Sequence, residues 1–153
     1  MLKFHWSTGD LQVSLDRSLI VMELQTYLDK LLTRIDGLKT ITITDREGVT
    51  LLTATPEGGS LGTGFETQPA LLSTTFAVVS EQASKLGLKK NKSIVSVFGS
   101  HQVVQFNHAP FVTTLVADVD ANTGILLDLN NELRDVTDVI ATALQERQNV
   151  TTP

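Results

Sequence analysis

The sequence predicts an α+β sandwich in which a five-stranded antiparallel sheet carries helices over its faces, in the order α-β-β-α-β-β-β-α. Segments with apolar residues at helical spacing and segments with apolar residues at every second position follow one another along the chain. The links between the predicted strands at 93–119 are too short for crossover helices, so these strands are antiparallel neighbours. A chain of 153 residues with 41% hydrophobic residues suffices for one core. We expect one domain at 22–147, between a mobile N-terminal extension at 1–21 and a polar tail at 148–153.

The first part of the domain predicts a helix followed by a β-hairpin. Apolar residues recur at intervals of four, three and four from Leu24 to Ile35, and Gly37 can end this helix. Residues 40–44 alternate Thr and Ile, and the turn at 45–48 begins with Asp and ends with Gly. A Gly-rich loop follows at 56–69, but no Lys-Ser or Lys-Thr pair directly follows it, so we reject a phosphate-binding loop.

The second part predicts a helix, three strands and a final long helix. The helix ends near Gly87 and is apolar over a wide arc, because a second, semi-polar stripe lies beside the main one. We therefore expect one side to meet the sheet and the other a partner. Strands are predicted at 93–98, 102–107 and 111–119, and Asn122 can cap the last helix. The main stripe consists of Leu72, Phe76, Val79, Ala83 and Leu86, and the second of Leu71, Thr75, Val78 and Gln82.

Composition argues against several classes of function. Twelve basic and seventeen acidic residues give a net charge of −5, and the scattered Lys and Arg do not form a nucleic-acid footprint. The absence of cysteine removes disulfides, thiolate nucleophiles and lipid anchors on Cys, and it fits a reducing compartment. No apolar run reaches the ~20 residues that cross a bilayer, and no glycine follows Met1 for myristoylation. We expect membrane contact only through a lipidated partner.

The candidate catalytic and metal-binding residues lack the neighbours that such chemistry requires. His101 and His108 flank one strand without a carboxylate at ligand spacing, so we expect turn and surface histidines. Residues 118–124 resemble a calcium loop, but Leu129 occupies the position of the bidentate Glu, so an acidic capped turn is favoured. The hydroxyls at 73–75 have no base within a helical turn. We expect no catalytic residue, no cofactor and no metal.

Five short segments carry a resemblance to a known family. They are DREGV at 45–49, SKLGL at 84–88, NKSI at 91–94, QVVQFN at 102–107 and NTG at 122–124. In this order they resemble the roadblock family, and within it the MAP kinase scaffold subunits of the Ragulator (LAMTOR) complex. The resemblance spans about residues 23–145 and implies a roadblock/longin-like fold in a non-enzymatic adaptor.

The resemblance also implies partners and a location. A second roadblock-fold subunit would form a heterodimer with this chain, within a complex that includes other Ragulator subunits, Rag GTPases, and the MEK and ERK kinases. This complex would act in TOR and MAP kinase signalling at the cytoplasmic face of late endosomes and lysosomes. In the family, the second helix and the following strand meet their counterparts, so that two sheets merge. Here the partner interface would comprise Leu72, Phe76, Val79, Ala83, Leu86, Ser93, Ile94, Val95, Ser96, Val97 and Phe98.

Three alternatives stay open at this point. A PAS- or GAF-like ligand sensor shares the order of layers but needs an internal pocket with convergent polar groups, and the sheet positions here are Ile, Val, Leu and Thr. A regulator of small GTPases would make contact without catalysis, since no Arg finger is evident. A small basic cluster is either a solvated rim or a contact for an acidic partner or lipid head groups; it consists of Lys85, Lys89, Lys90 and Lys92.

Overall fold

The computed structural model describes residues 13–57 and 69–150. The helices are α1 (Val13–Arg34), α2 (Pro69–Ser84), α3 (Thr123–Asp128) and α4 (Asn130–Val150). The strands are β1 (Leu38–Asp45), β2 (Thr50–Ala54), β3 (Ser93–Val97), β4 (His101–His108) and β5 (Phe111–Asp118). They form one five-stranded sheet in the order β2-β1-β5-β4-β3, with every neighbouring pair antiparallel. The predicted α+β sandwich is confirmed.

The core lies between one face of the sheet and the helices α1 and α4. Leu24, Leu28 and Leu31 of the first predicted stripe are all buried there. The sheet contributes the alternate residues of its central strands, and α4 contributes a leucine, a valine and an isoleucine from its apolar face. Ile41, Ile43, Val104, Leu115, Leu133 and Val136 belong to this cluster. The stripes predicted for the first and last helices are therefore the faces that pack.

The first helix begins earlier than the sequence pattern predicts. It starts at Val13, inside the segment assigned to the extension, and Ile20 packs against the core. Arg17, Ile20 and Leu24 share one helical face, and this spacing continues the predicted stripe toward the N-terminus. Residues 1–12 and 58–68 lie outside the described part of the chain, and with them most of the predicted Gly-rich loop. The domain limits at 22 and 147 stay predictions.

The single long helix predicted at the end of the chain is interrupted. Asn122 caps α3 as expected, because its Oδ1 accepts a hydrogen bond from the Ile125 N–H at 3.1 Å. At Leu129 the chain makes a tighter turn, in which the Leu129 N–H donates to the carbonyl of Leu126 at 3.2 Å. The helix resumes at once as α4. The apolar face is continuous across this turn, so the spacing predicted the buried residues but not the break.

The turn between β1 and β2 determines where α2 lies. Asp45 Oδ1 accepts hydrogen bonds from the backbone N–H groups of Glu47 and Val49, both at 2.9 Å. Gly48 has a φ of +86°, and a Cβ there would lie 2.4 Å from the Cα of Ala70. This close approach requires glycine and seats the turn on the first turn of α2. The predicted hairpin turn is confirmed, and it gains a role that the sequence did not suggest.

Candidate interaction surface

Strand β3 forms an open edge of the sheet. Among the described residues it pairs with β4 alone, and the register is marked by bonds from Phe98 N–H to His101 O and from Asn107 N–H to Lys92 O, both 2.8 Å. In an antiparallel ladder the backbone groups of successive residues point alternately toward and away from the neighbour. The backbone groups of three residues therefore face away from β4: Ser93, Val95 and Val97. We call these the open edge of β3.

The side chains of β3 are distributed over both faces of the sheet. Val95 is opposite Val104, so it lies on the face that carries α1 and α4. Val95 is 39% exposed and Val97 67% exposed, since β4 shields only one side of the strand. Ile94 and Ser96 are half-buried on the opposite face, and Phe98 is exposed just beyond the end of the strand. This edge combines free backbone groups with exposed apolar side chains.

Two hydrogen bonds hold α2 against the second face of the sheet. The buried Gln105 donates from Nε2 to the carbonyl of Leu72 at 2.9 Å, and Ser73 Oγ donates to the carbonyl of Asp45 at 3.0 Å. Phe76 is only 4% exposed on the same side of the helix. The expectation that Phe76 meets a partner is therefore corrected: its ring packs inside its own domain. Leu72 is half-buried on this inner side as well.

The opposite side of α2 carries exposed apolar residues. Leu71 is 58% exposed and Val78 54% exposed, so the stripe predicted to be semi-polar is the one exposed to solvent. Val79 is also exposed, and Ala83 is half-buried near the end of the helix. Leu86, predicted as the last member of the main stripe, lies beyond the helix end in a turn. The outer face of α2 is defined here as Leu71, Thr75, Val78 and Val79.

A buried histidine stands where a surface histidine was expected. His108 is 2% exposed; its Nδ1 lies 2.8 Å from Thr113 Oγ1 and its Nε2 lies 2.9 Å from Asn130 Oδ1. Burial lowers the pKa of this imidazole, so the neutral ring is favoured. The expectation of a surface position was wrong because Asn130, which begins α4, closes over the end of β4. The histidine joins the sheet to α4.

A second buried polar residue, Gln102, organises the acidic turn after β5. Its Nε2 donates to the carbonyls of Asp118, Val119 and Ala121 at 2.8 to 3.3 Å, and its Oε1 accepts from Thr123 at 2.7 Å. The two hydrogens of one amide are therefore shared among these three carbonyls. Among the described residues, no group of three or more His, Cys, Asp and Glu is placed to hold a metal ion. Little in the sequence indicated this role of Gln102, because only the burial of its side chain reveals it.

An ionic cluster joins α1 to α4. Glu132 accepts hydrogen bonds from the Tyr27 hydroxyl and from Arg34 Nη2, the latter at 2.7 and 2.9 Å. Partial burial acts to raise the pKa of Glu132, but the two hydrogen bonds and the arginine charge outweigh it and hold that pKa below its usual range. Burial and the same carboxylate raise the pKa of Tyr27. This cluster stabilises the helical layer on the side opposite α2.

The ligand-sensor alternative receives little support from the cavities of the described residues. A groove of about 290 Å³ lies between α2 and the sheet, floored by Phe76, Phe111 and Val112. It is open to solvent rather than enclosed under the sheet, and its serines are spread along the helix instead of converging on one point. An enclosed pocket with convergent polar groups is what a sensor requires.

The comparison with known families decides the classification. The family described as "Mitogen-activated protein kinase kinase 1 interacting" matches residues 22–144, which include β1 to β5 and the whole interaction surface. The chain belongs to this family. Among the helices of its described residues, none is long and apolar enough to cross a membrane.

Curated relatives in this family are Ragulator proteins. "Ragulator complex protein LAMTOR3-B" of Xenopus laevis is 43% identical over 123 residues, covering 80% of this chain and 97% of that protein. "Ragulator complex protein LAMTOR3" of Xenopus tropicalis is 44% identical over 111 residues, covering 72% of this chain and 86% of that protein. The resemblance read from the five sequence segments is confirmed.

Solved structures agree on the fold at low sequence identity. Myxococcus xanthus MglB superposes with a TM-score of 0.65 at 12% identity, over 79% of this chain and 96% of that one. A Roadblock/LC7 domain from Streptomyces avermitilis gives 0.59 at 13% identity, over 80% and 96%. This chain therefore has a roadblock fold, as the order of strands and helices predicted.

Proposed function

We propose that this chain is a non-enzymatic scaffold subunit that forms a heterodimer with a second roadblock-fold subunit. The observation that carries the proposal is the open edge of β3 beside the exposed outer face of α2. An unpaired edge strand with apolar side chains is a template for another strand and a hazard for aggregation when it is left free. Pairing with a partner strand removes this hazard and buries both surfaces together.

The two parts of the surface contribute differently to such a dimer. The open edge of β3 offers backbone donors and acceptors, each worth about 0.5–1.5 kcal/mol net when bonded. The outer face of α2 offers apolar anchors such as Leu71 and Val78, and burial of the exposed part of each side chain stabilises an interface by about 1–2 kcal/mol. A standard interface of ~800 Å² per partner is compatible with these contributions. We therefore propose that the interface consists of the outer face of α2, not its inner side, and the open edge of β3.

The names of the relatives support a wider assignment. We propose that the chain is a subunit of a Ragulator-like complex, and that a MAP kinase kinase of the MEK type is among its partners, with ERK, the other Ragulator subunits and Rag GTPases in the same assembly. Its location would be the cytoplasmic face of late endosomes and lysosomes, in TOR and MAP kinase signalling. Its contribution would be the surfaces that it presents, without chemistry of its own.

Co-purification with a candidate partner tests the interface. The full chain is mixed with a Ragulator roadblock subunit, and the mass in solution is measured by light scattering after gel filtration. We expect a stable one-to-one complex for the unmodified chain and separate species for the double variant Val95→Lys, Val97→Lys. Val49→Lys is the matched control, because Val49 is equally exposed but lies in the β1–β2 turn. If the unmodified chain and the roadblock subunit stay separate, or if the double variant associates as well as the unmodified chain, the proposal is contradicted.

A further inference from the structure

The connection between α2 and β3, residues 85–92, concentrates positive charge in an acidic protein. It contains Lys85, Lys89, Lys90 and Lys92, and all four are exposed. No Asp or Glu occurs anywhere from Gln82 to Ala117, so this stretch carries a charge of +4. The whole chain carries −5, which leaves −9 on the rest of the sequence. None of these lysines forms a salt bridge with another described residue.

The same connection exposes two leucines at its tip. Leu88 is 78% exposed and Leu86 70% exposed, the highest values among large hydrophobic residues in the described part of the chain. Gly87 lies between them with a φ of +73°, and a Cβ there would have no atom within 4 Å. The tip therefore projects into open space as a convex turn. We call residues 85–92 the Lys-Leu loop.

We propose that the Lys-Leu loop is a contact for an anionic lipid surface. Its leucines would enter the boundary between head groups and acyl chains, and the flanking lysines would meet the negative head groups. A cluster of four to eight basic residues is the size typical of segments that bind such membranes. A convex tip with lysines on both sides of its apolar residues suits a flat, negatively charged surface better than the concave pocket of a protein. Membrane contact would then come from this chain itself and not only from a lipidated partner.

The two parts of the loop predict separable losses. Replacing Lys89, Lys90 and Lys92 by Gln is expected to reduce partition onto anionic vesicles on the order of a hundredfold, because each lysine near the surface contributes a several-fold increase. Replacing Leu86 and Leu88 by Ser is expected to reduce it at least on the order of thirtyfold, since burial of two exposed apolar side chains is lost while the charge is kept. Salt should weaken binding of the leucine variant more completely than that of the unmodified chain.

Vesicle flotation with the full chain tests the proposal. We expect binding to vesicles of phosphatidylcholine with phosphatidylserine, and little binding to phosphatidylcholine alone. Lys30→Gln and Val49→Ser are the matched controls, because both residues are exposed but lie on α1 and in the β1–β2 turn. Both controls should bind like the unmodified chain. Thermal unfolding of every variant checks that the fold is retained.

A single label locates the contact. The chain has no cysteine, so Leu88→Cys accepts one environment-sensitive fluorophore at the tip of the loop. We expect a blue shift on addition of the anionic vesicles and no shift for the same label at Val49→Cys. Absence of vesicle binding by the unmodified chain, or binding by the loop variants equal to that of the controls, would overturn the proposal. Loss of association with the roadblock subunit in the loop variants, without vesicle binding, would identify a protein contact and also overturn it. The dimer itself is measured without lipid, so the two proposals fail independently.

Discussion

Replacing His108 by phenylalanine tests whether a buried neutral histidine joins the sheet to α4. The aromatic ring and its stacking on Phe106, at a centroid separation of 5.5 Å, are kept. Both hydrogen bonds are lost, which leaves the hydroxyl of the fully buried Thr113 unpaired, while the half-buried Asn130 can still reach water. An unsatisfied buried hydroxyl costs ~1–3 kcal/mol, and a lost bond at a partly exposed site ~0.5–1.5 kcal/mol.

The expected loss for His108→Phe is therefore about 2–4 kcal/mol in the free energy of unfolding at neutral pH. For a domain of this size it corresponds to a decrease in Tm of roughly 5–15 °C. Urea unfolding followed by circular dichroism gives the free energy, and a thermal scan gives the Tm. His101→Phe is the matched control, because His101 is half-buried at the opposite end of the same strand and should lose less.

The pH dependence gives a second, independent readout. Burial lowers the pKa of His108 in the folded chain below its ordinary value of 6.5. Below that value the unfolded chain binds a proton that the folded chain does not, so the stability of the unmodified protein decreases as the pH falls toward the folded pKa. The phenylalanine variant lacks this contribution, so the difference in stability between the two proteins should narrow from about pH 7.5 to about pH 5, by at most ~1.4 kcal/mol per unit. A constant difference over this range, or a loss below ~0.5 kcal/mol, would refute the reasoning.

Three other substitutions, one with a matched control at the same position, probe the candidate interaction surface and the packing of the sheet around it. Val95→Pro should abolish association with a roadblock subunit but leave the Tm nearly unchanged, because the Val95 N–H points away from β4. Val95→Thr keeps this N–H and should associate normally. If gel filtration shows association of the proline variant and none of the threonine variant, a strand ladder at this edge is excluded. Gly48→Ala should lower the free energy of unfolding in urea by about 2–4 kcal/mol, because residue 48 has a positive φ and an added Cβ would clash with Ala70. An unchanged urea midpoint would show that the turn is not held against α2. Gln102→Glu should lower the free energy of unfolding by at least ~3 kcal/mol at neutral pH, because a carboxylate would face three backbone carbonyls. This loss of stability should become smaller in acid, where the carboxylate is protonated. A loss that does not change with pH would contradict this geometry.

Local chemistry made much of the fold predictable. The stripe from Leu24 to Leu31, the Asp-to-Gly turn at 45–48 and the cap at Asn122 each depend on residues close in sequence, and the structure has each where it was expected. The start of α1 and the break at Leu129 were not predicted. A helix boundary depends on a few weak contributions that tertiary contacts readily outweigh, so spacing alone places it poorly.

The candidate interaction surface was predictable only in part. Spacing showed that α2 has two apolar stripes and named the strand that follows it. It did not show that Phe76 belongs to the inner stripe and Leu71 and Val78 to the outer one. Both stripes satisfy the same helical period, and the choice between them depends on Gln105 and Asp45, which contact α2 from distant parts of the chain. The exposed tip at Leu86 and Leu88 likewise required coordinates.

By itself the sequence determined the family, the order of the elements, the turns and caps, and the segregation of positive charge into one stretch, because each depends on residue type and spacing along the chain. That Phe76 and His108 are buried and that the Lys-Leu loop projects into solvent is visible only in the tertiary structure, and the strand order there has β3 at the edge, as the resemblance implied. The order of strands in a sheet and the burial of a side chain depend on contacts between segments that are far apart in sequence. Those contacts exist only once the chain has folded.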